Sequence, residues 1–552
     1  MNSALAQTAR PYRLVLLRNA SGNPVDVGAV GPILAPTDIG NRFGINNKGV
    51  VVGVFEYAAD PQVFHGFVWF PNNLGVSGMH FDLRQLLDIH AHAPTWGSTS
   101  DSTLVNDAAS DKVMVGFKGP GVGHDGEAYA FTLNLTAATI GAVSLQTEDG
   151  PFSTAFGVND ATTTGIVGVT TADCPDLGDD LAFEAYYTTW TPSGGAGTMV
   201  LLPTESTASA SRAADIARTG TTLRICGDDN GCEEDTDPCT IDVGCGNTCL
   251  KETLGALRWS GTSSVSVLVG IETADSGVNG RGINSDDDVG GWGWADPPAG
   301  GDPELPCPKR SAFWNGSSQS SHRPGDTMPG NSGHASWAEA ISPRDGEGCV
   351  TLVGMDLDAE AALVWHGFDD SWCVEDLNQI TRGIPANVAL TRAFDINQYR
   401  HVTVFAENSY SNEFYAGVLT SAADFNGDLK VNGTDRSMLV AHYCSSGCSA
   451  AQLEYDLDED GDVDAADLSI LLGTYYSGSS LATVPAICSC SQESFAQQSA
   501  ASESAAFPLT AETALASLGF GSWQGLSDWL ITADEATADT VCDTLAFLLH
   551  GE

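Results

Sequence analysis

The chain has 552 residues, with 23 Lys and Arg against 71 Asp and Glu, for a formal net charge of −48. That acid excess cannot replace the counterions of a phosphate backbone, which excludes a general nucleic-acid binder, and it opposes docking on anionic lipid. Hydrophobic residues at 42% suffice for packed cores, 61 Gly and 24 Pro favour turns over long helices, and no apolar run approaches the ~18 residues of a membrane-spanning helix, so no membrane insertion is expected.

Residues 1–10 read as the remnant of a signal or processing region, because Ala4, Leu5 and Ala6 before Gln7 form an A-x-A-like cleavage site. Residues 11–420 are repetitive. FGINNKGVVVGVFE at Asn46 is followed by HGFVWFP, and the same order recurs with FGVNDATTTGIVGV and AYYTTW at Asn159 and with GINSDDDVGGWGW and SAFWNG at Asn284. Further copies stand at Asn106, Ala217, Ser342 and Asn397, with successive separations of 60, 53, 58, 67, 58 and 55 residues. A period of this size over seven copies is a repeat architecture.

Each copy alternates as strands do. A short strand ends in an Asn turn, the next is rich in Val and Gly, and the third carries aromatics ending in Trp69, Trp190, Trp259, Trp314 or Trp365. A fourth strand is clearest around Asp82 with Leu83 and around Asp376 with Leu377. The expected fold class is mainly β: a seven-bladed β-propeller-like repeat domain over 11–420, with an open β-solenoid as the competing arrangement. The seventh copy has three evident strands, so Tyr12 to Leu17 is expected to complete its sheet and close the ring without an exposed edge.

The recurring Trp and Phe are assigned to packing between blades, and Asn46, Asn106, Asn159, Asn284 and Asn397 to turns held by side-chain hydrogen bonds. Trp292 and Trp294 could stack on a sugar, but their place in a Val-Gly strand favours core packing. His90 and His92 share a side if extended and lack a third metal ligand at a recognisable spacing. An acidic Cys-rich insert over 226–249 holds five of the 14 cysteines; with CxxC pairs absent and no His in the insert, disulfides fit better than zinc, which implies an oxidising compartment.

The repeats resemble the bacterial extracellular family named HAF after its His-Ala-Phe stretch. The resemblance rests on His65, Gly66 and Phe67 before Trp69, with GINNKG and VVG upstream. It implies an extracellular or cell-surface location and a repeat architecture, and no established reaction.

The sharpest chemistry lies in residues 421–480. DLDEDGDVDAADLSILL places Asp456, Asp458, Asp460, Asp464 and Asp467 at positions 1, 3, 5, 9 and 12 of a loop, with Gly461 at position 6 and the Asp462 carbonyl at position 7. Calcium takes six to eight oxygens, and alternate carboxylates on a tightly wound loop deliver them to one point. A first copy, thirty-two residues earlier, places Asp424, Asn426, Asp428, Asn432 and Asp435 likewise, with the Lys430 carbonyl at position 7. Its glycine is Gly427 at position 4, and Leu429 stands at position 6 where Gly is expected, so a strained turn and lower affinity are expected. Two Ca2+ sites follow, the second loop being the better formed.

Paired loops of this spacing, each followed by a helix and each ending in Asp, resemble a type I dockerin domain. The resemblance implies a small all-α, calcium-folded module that docks on a cohesin-type partner and often tethers carbohydrate-active enzymes. Positions 10 and 11, which help choose the cohesin in that family, are Gly433 and Thr434 in one loop and Ala465 and Ala466 in the other, so two equivalent faces are not expected. Cys444 and Cys448 lie in the connector, where a disulfide would staple it.

Residues 481–508 read as a linker, rich in Ser, Ala and Gln from Gln492 to Ala506, and 509–552 as a short helical tail with Leu515, Leu518, Trp523, Leu526, Trp529, Leu530, Val541, Leu545 and Leu548 at helical spacing. Nucleophile-elbow, phosphate-loop, zinc-protease and dinucleotide signatures are absent, and no catalytic residue is nominated. The expected function is a secreted or surface-displayed, non-enzymatic binding or scaffold protein with a calcium-dependent docking module and a polysaccharide or cell-surface ligand. The competing reading is an extracellular carbohydrate-active enzyme, a glycoside hydrolase using a carboxylate pair, tethered through its dockerin.

Overall fold

The computed structural model describes residues 10–18, 43–56, 64–71, 80–82, 102–108, 113–119, 127–134, 139–145, 153–159, 164–173, 181–191, 195–204, 210–219, 222–231, 253–268, 278–294, 309–316, 335–368, 371–411, 413–474, 481–487, 518 and 541. Short runs of β-branched, aromatic and small residues form the strands, and inner strands such as Ser336–Ile341 are buried on both faces because neighbouring sheets cover them, whereas the outer strand Ser371–Asp376 holds no buried residue. Every residue of the strand Ser336–Ile341 is buried, and so is nearly every residue of Val350–Asp356.

Among the described residues, six sheets are blades made from one continuous stretch of chain each. Their first strands are Gly44–Ile45, Ser102–Ala108, Ser153–Val158, Ala210–Thr219, Val278–Ile283 and Ser336–Ile341. Antiparallel neighbours follow in sequence order, with four strands in most blades and three among the described residues of the blade that starts at Val278. The last sheet is composite. Val388–Ile396, Val402–Asn408 and Glu413–Ser421 are joined by the N-terminal strand Tyr12–Leu16, antiparallel to the last of them with Tyr12 opposite Ser421. Thr381–Arg382 then adds in parallel on the far side of Tyr12–Leu16.

The expected count of seven blades is therefore corrected: among the described residues six blades are each one continuous stretch of chain, and the seventh copy forms a composite closing sheet that takes in the N-terminal strand, as expected for Tyr12 to Leu17. Closure is direct. The Ile45 amide donates to Asp395 Oδ2 at 2.7 Å, the Thr403 hydroxyl to the Phe43 carbonyl at 2.6 Å, and Asn397 Nδ2 to the Asn46 carbonyl at 3.1 Å. All three bonds cross from the closing sheet to the first blade.

The core is a series of seams rather than one centre. Trp190, Trp259, Trp314 and Trp365 each sit in a separate buried cluster where consecutive blades meet, and Trp69 sits in the cluster between the first blade and the closing sheet. The repeated aromatics thus pack between blades. Trp292 is also buried, stacked on Trp337 with ring centroids 6.2 Å apart. Gly291 and Gly354 explain the glycine of the second strand: a Cβ there would meet the first strand's backbone at 1.9 and 2.0 Å, where a bulge pushes that strand inward.

The Asn turns form as expected at Asn46, Asn159, Asn284 and Asn397, whereas Asn106 lies within the strand Ser102–Ala108 at a shift of register, and its side chain is outside the described residues. The Asn284 side-chain oxygen accepts from the amides of Asp286 and Asp288, and that of Asn397 from the amides of Tyr399 and His401. Where the sixth copy lacks its Asn, Asp345 does the same for Glu347 and Cys349. Serines that drew no notice in the sequence tie neighbouring blades: Ser153, Ser211 and Ser336 accept from the amides of Ala128, Ala185 and Ser311 in the preceding blade.

Cys226 belongs to the strand Thr222–Gly231 and is buried, so the Cys-rich insert cannot start there. Residues 232–249 of that insert, His90, His92, the Trp294 side chain and most of residues 488–552 lie outside the described residues. Cys349 and Cys373 are disulfide-bonded, and Cys444 is bonded to Cys448. Among the described residues no helix is long and apolar enough to cross a membrane.

Candidate metal centre

Three α-helices stand among the elements of the described residues. α1, Leu377–Ile380, closes the sixth blade with Asp376 as its N-cap, and α2, Gly433–Ala441, and α3, Ala465–Gly473, belong to the C-terminal module. The sequence logic of α2 and α3 is shared. Asn432 caps α2 and Asp464 caps α3, while Asp435 and Asp467 three residues on reach back to the cap amide, so each helix starts in a capping box. The predicted ligands at positions 9 and 12 thereby fix the helix start as well as the loop end.

Leu439, Leu457, Val463, Leu468, Leu471 and Leu472 form the module's own core. Cys444 and Val463 form a two-residue antiparallel bridge that holds the two loop–helix halves together. Leu518 and Val541 of the tail pack against this core. Helix α3 is buried almost throughout, whereas Thr434, Ser437 and Ala441 of α2 are exposed, so the two helices are not equivalent surfaces.

In the first loop, Asp424, Asp428 and Asp435 offer carboxylate oxygens that lie within 4.8 Å of one another. Asp424 and Asp435 are fully buried. Asp424 accepts from the amides of Gly427, Asp428 and Leu429 and from the Thr420 hydroxyl; Asp435 accepts from Phe425, Asn426 and Asn432. The Asn426, Asp428 and Asn432 side chains each accept from the amide two residues on, which winds the loop; Asp428 keeps its second carboxylate oxygen for a ligand, and the single side-chain oxygen of Asn426 and of Asn432 keeps a second lone pair. Lys430, placed at position 7 for its carbonyl, supplies the amide that Asp428 holds.

In the second loop the carboxylates fall into two triads, Asp456 with Asp458 and Asp460, and Asp462 with Asp464 and Asp467. The structure thus gathers the predicted residues by threes and adds the Asp462 carboxyl to the second group, where only its carbonyl was expected. Asp467 is buried and accepts from the amides of Leu457, Asp458 and Asp464. Asp456 Oδ1 is buried without a hydrogen-bond partner among the described residues. An orphaned buried carboxylate oxygen inside a ring of acids is what a hard cation would satisfy, so the donor set fits calcium.

Protonation tells the same story for the metal-free chain. Burial, then the charges of Asp435 and Asp428, push Asp424 well above the usual carboxylate range. Burial lifts Asp435 to about 6 and Asp467 to about 7. A carboxyl raised in the fold contributes stability that is complete below its unfolded pKa of about 4 and is lost as pH rises through the folded value. The metal-free module is therefore expected to melt at a lower temperature at pH 8 than at pH 5. Calcium affinity should move the other way, because the ion displaces those protons. Thermal melts in EDTA and calorimetric titrations at both pH values check the two signs.

Among the comparisons with known proteins, the family match falls on the C-terminal part. Residues 422–473 match the dockerin type I domain family. No curated protein is similar to the chain at a significant level. Among solved structures, a prolyl endopeptidase is 11% identical with a TM-score of 0.37, covering 76% of this chain and 51% of its own, so the chain spans about half of that protein. The β-propeller domain of the Trilobed protease from Pyrococcus furiosus is 7% identical (TM-score 0.33; 69% and 94% covered), and a polysaccharide lyase is 8% identical (TM-score 0.39; 75% and 97% covered). These likenesses are too remote to carry activity across. The chain is mainly β with a propeller arrangement, followed by a helical dockerin region rich in acidic clusters.

Proposed function

We propose that this is a secreted or cell-surface, non-enzymatic binding or scaffold protein, a propeller presented through a calcium-dependent docking module. The observation that carries the reading is the pair of acidic loops, each ending in a capped helix within the dockerin match. Two Ca2+ ions are assigned, one through Asp424, Asn426, Asp428, the Lys430 carbonyl, Asn432 and Asp435, and one through Asp456, Asp458, Asp460, Asp462, Asp464 and Asp467. A cohesin-type domain is the partner, and the exposed side of α2 at Thr434 and Ser437 is the more open face for it. The paired Cys444 and Cys448 accord with an oxidising, extracellular setting and with repeats of the HAF kind on the propeller.

A panel of soluble polysaccharides incubated with the full chain in calcium, scored together for binding and for new reducing ends, tests the non-enzymatic part. Binding without turnover is the expected result. Reducing ends that vanish when a carboxylate pair of the propeller is neutralised would replace the scaffold with a tethered glycoside hydrolase.

A further inference from the structure

The acidic loops are not a separate bead on the chain. Asp424 lies three residues beyond Ser421, whose strand pairs with Tyr12–Leu16, and its Oδ2 accepts from the Thr420 hydroxyl of that strand at 3.0 Å. The Ala422 amide donates to the Pro11 carbonyl at 2.8 Å, and Arg13 Nε donates to the Ala422 carbonyl at 3.1 Å. Arg13 also reaches the Glu454 carbonyl at 2.9 Å and lies over the Phe425 ring. The N-terminal strand thus touches the module directly.

Both loops turn left-handed at positions 4 and 6. Gly427 (φ 72°) and Leu429 (φ 65°) do so in the first, Glu459 (φ 61°) and Gly461 (φ 98°) in the second. Each loop therefore holds one glycine and one residue whose Cβ is crowded against its own backbone in the left-handed turn. In both cases that side chain goes to the propeller. Leu429 is fully buried among Leu17, Phe43, Ile45, Val51 and Leu481 at the seam between the closing sheet and the first blade. Burying the leucine side chain offsets the cost of that backbone. A Cβ on Gly49 would come within 2.5 Å of Leu429 Cδ1, so the first blade's turn is shaped to receive it.

Glu459 pairs with Arg382 at 3.0 Å and with Arg10 at 3.3 Å. Arg382, in the strand parallel to Tyr12–Leu16, also donates to the carbonyls of Asp456 and Leu457 at the start of the second loop. The chain leaving the module is anchored as well, although composition assigned residues 481–508 to a linker. The Ala482 amide donates to the Leu429 carbonyl, the Val484 amide to the Tyr399 carbonyl, and Arg400 Nη1 to the Val484 carbonyl.

We propose that the two acidic loops are the clasp of the propeller: a cation bound in them fixes Leu429 and Glu459, and through these holds the strand Tyr12–Leu16 in the closing sheet. The inference rests on the calcium reading above and extends it, because the metal then stabilises the ring as well as the helical module. The partner-binding module is held rigidly to the propeller instead of swinging on a tether.

Hydrogen exchange of the full chain with and without calcium, alongside calorimetric titration of calcium, tests this. In the wild-type chain calcium should slow exchange at 12–16 and 413–421 by about tenfold or more, besides its effect within 422–473. Leu429→Gly restores a glycine at a left-handed position and removes the anchor. It should still bind calcium while the protection of 12–16 falls at least about tenfold, and Leu429→Met, which keeps the apolar volume, should retain most of it. Calcium binding that leaves 12–16 unprotected in the wild type, or full protection in Leu429→Gly, overturns the clasp and leaves the calcium reading intact. Absence of calcium binding in the calorimeter overturns both.

Discussion

Calcium at a thousand times its dissociation constant is expected to raise the stability of the metal-free chain by about 4 kcal/mol for each site whose binding is coupled to folding. The cause lies in the two loops. Asp424, Asp435 and Asp467 are buried beside other carboxylates, and their hydrogen-bond donors offset that only in part, so that a cation or a proton relieves them further. Asp458→Asn separates the two kinds of relief. Asp458 is held above the usual carboxylate range by burial and by the charges of Asp460, Asp456 and Asp464, and its Oδ1 accepts from the Asp460 amide, a bond that asparagine keeps. The substitution should stabilise the chain in EDTA and destabilise it in calcium, with calcium affinity at that loop lowered by at least about tenfold, since affinity follows ligand charge count. Thermal melts of wild type and variant in both conditions read the crossing. A loss of stability in EDTA as large as that in calcium contradicts the metal role.

Trp365→Ala is expected to cost about 3–5 kcal/mol. Trp365 is fully buried where the fifth and sixth blades meet, packed with Phe313, Ala338, Ile341, Val350, Leu352 and Leu363. The cavity cannot collapse easily, because those neighbours are held in two sheets whose ladders fix their separation. Trp365→Phe should be far milder: Trp365 Nε1 is buried with no hydrogen-bond partner among the described residues, so the smaller ring also removes an unsatisfied donor. At Trp259 the balance differs, since its Nε1 donates to the Pro203 carbonyl at 2.7 Å, and Trp259→Phe should lose that bond as well. Denaturant melts of the three variants rank the costs. A Trp365→Ala cost below about 1 kcal/mol contradicts the seam-core account.

Local chemistry was readable from the sequence; its tertiary use was not. The Asn turns were legible because the side chain bonds backbone only two to four residues away, as at Asn284 and Asn397. The N-terminal strand could be foreseen because the last copy visibly lacks a strand, and Tyr12–Leu16 supplies it. The parallel addition of Thr381–Arg382 could not, since two residues carry no period. The serine ties, Ser153, Ser211 and Ser336, depend on which blade lies opposite, so a serine at a strand start reads only as polar.

In the acidic loops the ligand types and spacing were legible, and so was the unusual Leu429. Its meaning was not. Sequence alone reads a leucine at a left-handed position as strain; the seam that buries Leu429 joins residues from the far N-terminal end, such as Leu17 and Phe43, to those of the closing sheet and to Leu481. The same holds for Glu459, whose partner Arg382 lies in the closing sheet.

The docking function is tested most directly by passing the full chain over immobilised cohesin domains in calcium and then in EDTA, with calcium loading followed in parallel by calorimetry. Retention in calcium and release in EDTA is the predicted result. Failure of every cohesin to retain a chain whose loops are shown to be loaded would contradict it.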